Sequence, residues 1–134
     1  MRRVELTWVE GQRYQGVDSG GNTVALGSGG EPGVSPAEAL LLALAGCAAH
    51  DVVAIVAKQR ATLRRLVVTV TGEQLPTPPR AYRAIHLRFE VSAEGLTEAK
   101  LRRAADLALN KYCTVRASLS PEIAVTFAVV LDEV

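Results

Sequence analysis

The chain has 134 residues, of which 49% are hydrophobic and 22% are charged, and its net charge is +1. This length fits one domain with a small core, so we predict a single domain over residues 1–134. The balanced charge indicates no nucleic-acid partner, and two cysteines are too few for the disulfide scaffold of a small secreted protein.

The N-terminal residues alternate between polar and apolar types and lack the apolar segment of a signal peptide. The longest uncharged apolar run, Ala39 to Ala49, is shorter than the ~18 residues that a membrane span requires. We therefore expect a cytoplasmic protein with no membrane partner.

Short strands are predicted near the N-terminus. Val4, Leu6 and Trp8 recur at every second position, as in a half-buried strand. A turn-forming cluster at residues 18–22 leads to a short apolar run at residues 23–26, so this segment predicts a hairpin or a meander. The glycine-rich stretch that follows predicts a flexible loop within the domain.

A long helix is predicted next, and its start has three signals. Ser35 suits the N-cap, Pro36 suits the first helical position, and Glu38 completes a capping box. The helix should run to about Arg60.

This helix is apolar on nearly all sides until His50, so we expect it to be central and covered on several sides. Ala39, Ala43, Gly46 and His50 fall on one stripe, where the small side chains would let another helix approach closely. In so small a chain, a second subunit is a natural source of that helix.

The second half of the chain predicts strands around one more helix. Residues 66–71 are rich in β-branched types, residues 85–91 alternate between apolar and polar types, and the prolines within residues 76–79 predict a long hairpin tip between them. A helix over residues 98–112 and a strand over residues 123–131 complete the chain. The buried stripe of this helix should consist of Leu101, Ala104, Ala105 and Ala108. The order β-β-β-α-β-β-α-β predicts an α+β fold with helices packed on an antiparallel sheet.

Two cysteines are the candidates for chemistry. Cys47 lies inside the apolar run of the long helix, and Cys113 lies at the end of the second helix. The simpler interpretation of each is a small buried hydrophobe, which is common for cysteine. A thiol in an apolar wall can also meet apolar substrates, and a second thiol within reach can resolve its oxidised form as a disulfide. The pair therefore favours redox chemistry, most simply the reduction of a peroxide.

A reactive Cys47 needs a neighbouring cation, because the middle of a helix gives a thiolate no help from the helix dipole. Arg13, Arg80 and Arg116 are the candidates. His50 lies on the same helix face as Cys47, but histidine loses its charge near neutral pH whereas arginine keeps it.

Glu38 has a structural interpretation as the capping-box partner, and we prefer that to a catalytic one. The cysteines and histidines show no paired spacing of metal ligands. The glycine-rich loop lacks the Gly-Lys-Ser/Thr ending of a phosphate-binding loop. We therefore predict neither a metal nor a cofactor.

Six segments, in chain order, resemble the OsmC/Ohr superfamily and in particular its YhfA-like branch. They are Trp8-Val9-Glu10-Gly11, Ser35-Pro36-x-Glu38-x-Leu40, Ala45-Gly46-Cys47, Asp51-Val52-Val53, Pro79-Arg80 and Lys111-Tyr112-Cys113. The resemblance extends over nearly the whole chain, and the two cysteine contexts are its most specific parts.

The resemblance implies an intertwined homodimer, with antiparallel sheets around two long central helices, strands exchanged between subunits and active sites at the interface. It implies a peroxidase in which Cys47 attacks an organic hydroperoxide and Cys113 resolves the sulfenic acid. It also implies an external dithiol reductant, of the lipoyl type in some members, and a role in oxidative stress defence.

Two positions depart from the hydroperoxide reductases of this superfamily. Those proteins carry a functional glutamate directly after the helix-opening proline, where this chain has Ala37 and then Glu38. They carry an activating arginine in an N-terminal Gly-Gly-Arg segment, where this chain has Gln12 and then Arg13. The resemblance therefore makes Arg80, in the Pro-Arg pair typical of the YhfA-like branch, the first candidate for the activating cation, and Arg13 the second.

Three functions remain open from the sequence. The first is a two-cysteine peroxidase that reduces organic hydroperoxides, which the cysteine pair favours. The second is a dimer that binds an apolar or acyl ligand at its interface with little peroxidase activity, which Ala37 favours. The third is a stress-linked structural dimer without chemistry of its own.

Overall fold

The computed structural model of the protein describes residues 1–132. The chain forms two compact units, residues 1–40 and residues 41 onward, and each is described by itself. The single domain expected over residues 1–134 stays a prediction, and residues 133 and 134 lie outside the described part.

The first unit is a three-stranded antiparallel meander, as the turn signals predict. Its strands, in the order β1-β2-β3, are β1 (Glu5–Glu10), β2 (Arg13–Val17) and β3 (Thr23–Gly27). Between β2 and β3, the Asp18 carboxylate accepts hydrogen bonds from the backbone N–H groups of Gly20 (2.9 Å) and Asn22 (2.8 Å). Such a local side-chain bond is what makes aspartate a turn-forming residue.

The second unit combines a sheet with helices. Its elements are α1 (Pro36–Lys58, whose first five residues belong to the first unit), β4 (Thr62–Gln74), β5 (Tyr82–Glu94), α2 (Glu98–Leu107), α3 (Thr114–Ser118) and β6 (Ala124–Asp132). A π-helical turn, Ala108–Tyr112, extends α2. The helical segment predicted over residues 98–112 is therefore confirmed, although its last turn is wider than an α-helical one.

One strand pairing differs from the sequence prediction. β4 and β5 form the predicted antiparallel hairpin, but β6 runs parallel to β5, with Ala84 opposite Ala124. The helical segment between these strands is the reason, because a long crossover connection allows the next strand to return in the same direction. The expectation of wholly antiparallel sheets is wrong for β6. The α+β class and the order of strands and long helices are confirmed, with α3 as an addition.

The core of the second unit lies between the sheet and the helices. The inward residues of β5 alternate with outward polar ones, as predicted, and α2 buries the predicted small-residue stripe. The buried residues on these two elements and the turn after α2 are Ile85, Leu87, Phe89, Val91, Leu101, Ala104, Ala105, Ala108 and Leu109. Each large aliphatic side chain in this set contributes about 1.5–3 kcal/mol through burial.

Helix α1 has two different apolar faces. The buried face recurs at every fourth position and consists of Leu44, Ala48, Val52 and Val56. The opposite face is exposed, with Leu42 at 61% and Val53 at 45% of their possible exposure. The sequence predicted that α1 is covered on several sides, but residues 1–132 cover only one of its faces.

By length and mean hydropathy (2.1) alone, α1 also meets the criteria of a membrane span. The core helix of a globular protein passes the same test, and four α1 residues belong to the core of the second unit. The absence of a membrane partner stays a prediction.

The end of α1 provides a stability test. Arg60 has φ = 63°, and the next N–H, of Ala61, donates to the carbonyl of Val56 at 3.3 Å, as in many left-handed helix ends. This conformation destabilises a residue with a Cβ by about 1–2 kcal/mol. Glycine avoids that cost, but it makes the unfolded chain more flexible and so lowers stability by about 0.4–1 kcal/mol, which is the smaller effect. We expect Arg60→Gly to raise the free energy of unfolding by about 0.5 kcal/mol, as measured by urea denaturation at fixed protein concentration.

Gly95, with φ = 76°, offers the matched control. Gly95→Ala places a Cβ on left-handed backbone and should lower the free energy of unfolding. A loss of stability in Arg60→Gly contradicts the left-handed conformation of Arg60.

Candidate active site

Cys47 lies in the middle of α1, at the border between its two faces. Leu44 and Ala48, on either side, are fully buried, whereas Cys47 is half-buried and packs against the core. At the adjacent Gly46, an added Cβ would meet nothing within 4 Å. The core therefore holds this thiol on one side while leaving it partly open to small molecules.

Cys113 lies at the joint between two helical segments. The π-helical turn ends at Tyr112, the backbone becomes extended at Cys113 (φ −72°, ψ 111°), and α3 begins at Thr114. Cys113 is only 3% exposed. It is the N-cap of α3, and its Sγ accepts a hydrogen bond from the backbone N–H of Arg116 at 3.3 Å.

Cys113 belongs to the core of the second unit, Cys47 packs against that core, and the Cys47 side chain is near enough to affect the pKa of Cys113. Both thiols are free. Burial raises the pKa of the Cys113 thiol, the N–H of Arg116 lowers it, and the Cys47 side chain raises it, so that the pKa lies above its ordinary value. Cys113 is thus a protonated thiol at neutral pH. Two neighbouring thiols in one core, one partly exposed and one buried, are candidates for a disulfide on oxidation.

The guanidinium of Arg116 has a structural role. It donates hydrogen bonds to the carbonyl oxygens of Ser120 (3.2 Å) and Ile123 (3.3 Å). The side chain thus ties α3 to the segment that leads into β6, and it is the backbone N–H of Arg116 that meets Cys113.

Arg80 lies at the tip of the β4–β5 hairpin, where it is exposed and has φ = 57°. Its N–H donates to the carbonyl of Thr77 (2.9 Å), and its own carbonyl accepts a bond from the Gln74 side chain (3.0 Å). These bonds fix the loop and do not connect Arg80 with either cysteine, so its role as the activating cation stays a prediction.

Arg13 and Glu38 belong to the first unit and have local contacts. The Arg13 guanidinium pairs with the Glu10 carboxylate at 2.9 Å. The N–H of Glu38 donates to the hydroxyl of Ser35 at 3.3 Å, which is the N-cap half of the predicted capping box. A catalytic role for either residue stays a prediction.

His50 is exposed on α1, three positions after Cys47. Over residues 1–132, no three or more His, Cys, Asp or Glu side chains cluster as metal ligands would.

Two features of this site were not predicted from the sequence. The π-helical turn gave no signal, because the apolar spacing of α2 continues through it. The cap at Cys113 had a weak signal, since Arg116 is three residues on, where an N-cap side chain meets its amide partner. Cysteine is not among the common caps, so the pattern predicted the end of one helix and not the start of another.

Comparison with known proteins places this geometry in a family context. Residues 27–128 match the model of the family described as OsmC-like protein. The chain is also 34% identical over 125 residues to Protein YhfA of Escherichia coli (strain K12), which covers 92% of this chain and 93% of that protein.

Solved structures share the fold. The OsmC like protein from Mycoplasma pneumoniae superimposes with a TM-score of 0.82 at 18% identity, over 100% of this chain and 97% of that one. An organic hydroperoxide resistance protein, OsmC, from Legionella pneumophila gives a TM-score of 0.67 at 14% identity, over 96% of each chain. At these identities the likeness shows the fold alone.

The raised pKa of Cys113 predicts a pH dependence of stability. In the unfolded chain this thiol ionises near its ordinary value of 9.0, whereas in the folded protein it ionises at a higher pH. Below pH 9 the thiol is protonated in both states and the protein keeps its full stability. As the pH rises from 9 through the folded pKa, the unfolded chain loses this proton more readily, so the free energy of unfolding falls. We expect the free energy of unfolding of the reduced protein to fall above pH 9 more steeply than that of Cys113→Ser, as measured by urea denaturation. Parallel pH profiles would contradict the raised pKa.

Proposed function

Because the chain belongs to the OsmC-like family, we propose that it is a thiol-dependent peroxidase that reduces organic hydroperoxides. The observation that supports this proposal most strongly is that the half-buried Cys47 packs against the core to which the buried Cys113 belongs. A role in redox or stress chemistry follows from the family, and the specific reaction is our proposal.

In the first step, the Cys47 thiolate attacks the terminal oxygen of the hydroperoxide. The O–O bond breaks, the terminal OH is transferred to sulfur so that Cys47 becomes a sulfenic acid, and the alkoxide takes up a proton from water and leaves as the alcohol. In the second step the Cys113 sulfur attacks Cys47 Sγ, the S–O bond breaks, and water leaves as the disulfide forms. An external dithiol, for which the lipoyl type is a candidate, then supplies two electrons and restores both thiols.

The environments of the two thiols support this division of labour. Cys47 is the accessible one, and its neighbourhood on α1 is apolar, which favours alkyl hydroperoxides over hydrogen peroxide. Cys113 is almost fully buried and its pKa is raised, so it is poorly suited to the first attack and well placed for the second.

The division of labour can be tested with tert-butyl hydroperoxide and two serine variants. Cys47→Ser should consume no peroxide. Cys113→Ser should be oxidised once per chain, with a sulfenic acid trapped on Cys47, because the resolving thiol is missing. Mass spectrometry of the trapped protein identifies the oxidised residue. Equal turnover in both variants would refute the assignment.

We also propose that the protein is a homodimer. The exposed apolar face of α1 and the exposed apolar side chains of β1, among them Leu6 at 59% and Trp8 at 65%, are unfavourable in water. Gly46 supports this proposal: glycine in a helix costs about 1 kcal/mol relative to alanine, and the described residues leave open space at this position. A close approach by a second α1 would explain the glycine.

Sedimentation tests the dimer. We expect a dimer at micromolar concentration with roughly 2,000 Å² or more of buried surface. Gly46→Leu should weaken it at least about tenfold, since the larger side chain would separate the helices. A stable folded monomer, or a dimer unaffected by Gly46→Leu, would overturn this arrangement.

Arg80 is our candidate for the cation that activates Cys47, reached from the hairpin tip of the partner subunit. Its left-handed backbone costs stability that glycine would recover, so the arginine is better explained by what its side chain does. We expect Arg80→Gly to raise the free energy of unfolding while slowing the alkylation of Cys47 at neutral pH.

Arg83→Met is the matched control, because Arg83 pairs with Glu73 at 2.6 Å on the same hairpin and should not affect Cys47. Arg13→Met and His50→Ala test the alternatives. If only His50→Ala slows alkylation, the arginine assignment is wrong.

The second candidate function is binding of an apolar or acyl ligand at the interface. The exposed apolar face of α1 favours it, as does Ala37 at the position of the reductases' glutamate. An unchanged thiol content after hydroperoxide treatment would favour this function over the peroxidase. Under either function we propose a reducing compartment, the cytoplasm, because both cysteines are free.

A further inference from the structure

Arg116 contacts the buried thiol and the segment before β6 at the same time. Its N–H donates to Cys113 Sγ at 3.3 Å, and its guanidinium donates to the carbonyls of Ser120 at 3.2 Å and Ile123 at 3.3 Å. Ile123 directly precedes β6, which pairs with β5 along its whole length. One residue therefore links the sulfur to the rigid sheet.

This link matters because α3 has only five residues. A helix of this length is not stabilised by its own hydrogen bonds. Its position depends on the cap at Cys113, on the packing of Val115 and Leu119 against the core, and on the guanidinium bonds of Arg116. If α3 shifts, the amide that holds the sulfur shifts with it.

We infer that Arg116 is a positioning residue for Cys113, which holds the buried sulfur in the direction of Cys47 and thereby sets the rate of disulfide formation. The inference rests on the proposed function for the peroxide step, but the disulfide step requires only the two thiols that share one core.

The chemistry of resolution explains the need for such a restraint. Cys113 loses its proton, its sulfur attacks Cys47 Sγ in line with the S–O bond, and the hydroxide leaves as water after taking up a proton. Disulfide formation slows when the sulfur turns away from this line, since a misplacement of about 1 Å can lower a reaction rate about a hundredfold. The N–H of Arg116 also stabilises the charge that develops on Cys113 as its proton leaves.

An arginine suits this task better than a lysine. The planar guanidinium donates to two carbonyls from two nitrogens, whereas an ammonium is a single point charge on a flexible chain. Arg116→Lys should therefore keep the charge and lose part of the restraint, and Arg116→Met should lose all of it.

The first experiment separates the two steps with tert-butyl hydroperoxide. In Arg116→Met we expect sulfenic acid to form on Cys47 within about twofold of the wild-type rate and the disulfide to form about tenfold more slowly. Excess peroxide should then convert the unresolved Cys47 to sulfinic acid, which mass spectrometry detects. Arg116→Lys should be intermediate.

Arg102→Met is the matched control, because Arg102 pairs with Glu98 at 2.7 Å on the exposed side of α2. It should resolve the sulfenic acid at the wild-type rate. Disulfide formation in Arg116→Met within twofold of wild type, or equal slowing of both steps, would overturn the inference. If Arg116→Met does not fold, the same comparison is made with Arg116→Lys.

The second experiment requires no peroxidase activity. Oxidised glutathione reacts with Cys47 to give a mixed disulfide and releases one glutathione thiolate, and Cys113 then displaces the second glutathione. The mixed disulfide should accumulate in Arg116→Met and not in wild type or Arg102→Met. If wild type ignores hydroperoxides but shows this difference, the proposed function fails and the role of Arg116 stands. Equal accumulation in all three proteins refutes that role.

Discussion

The packing of α1 on the β4–β5–β6 sheet determines where the reactive groups lie. Four apolar residues at intervals of four, from Leu44 to Val56, fix the rotation of the helix about its axis. Cys47 is three positions after the first of them and one before the second, so it lies at the edge of the buried stripe. A helix rotated by one residue would bury this thiol completely or expose it completely, and neither gives a thiol that is both partly exposed and packed against the core that contains Cys113.

Two identical functional groups acquire different chemical characters from this arrangement. Cys47 borders open space at Gly46, whereas Cys113 is surrounded by core and accepts an amide hydrogen bond. The family and the paired thiols together favour a peroxidase, and the asymmetry between them favours one order of events. Under the proposed dimer, the same apolar face of α1 borders Cys47 and forms the interface, so assembly and substrate access depend on one surface.

Much of the fold was predictable because the local signals agree with the packing. The capping box at Ser35, the alternation along β5 and the small residues of α2 each predict their element correctly. The parallel pairing of β6 with β5 was not predictable, because an apolar run of this kind is equally compatible with a parallel and an antiparallel partner. The proximity of Cys47 to Cys113 was also not predictable from the sequence, because it depends on how α1 and the end of the π-helical turn pack in one core.

The π-helical turn has a consequence for how such sites change over evolution. An α-helix rotates by about 100° per residue, so a wide turn behaves as a one-residue insertion that re-aims everything after it. Loss of a single residue from the stretch Ala108–Tyr112 would restore a regular helix and change the direction of the Cys113 side chain, although both cysteines would still be encoded. The length of the helical segment before the second cysteine, and not only the presence of both cysteines, therefore determines whether two such thiols can share one core.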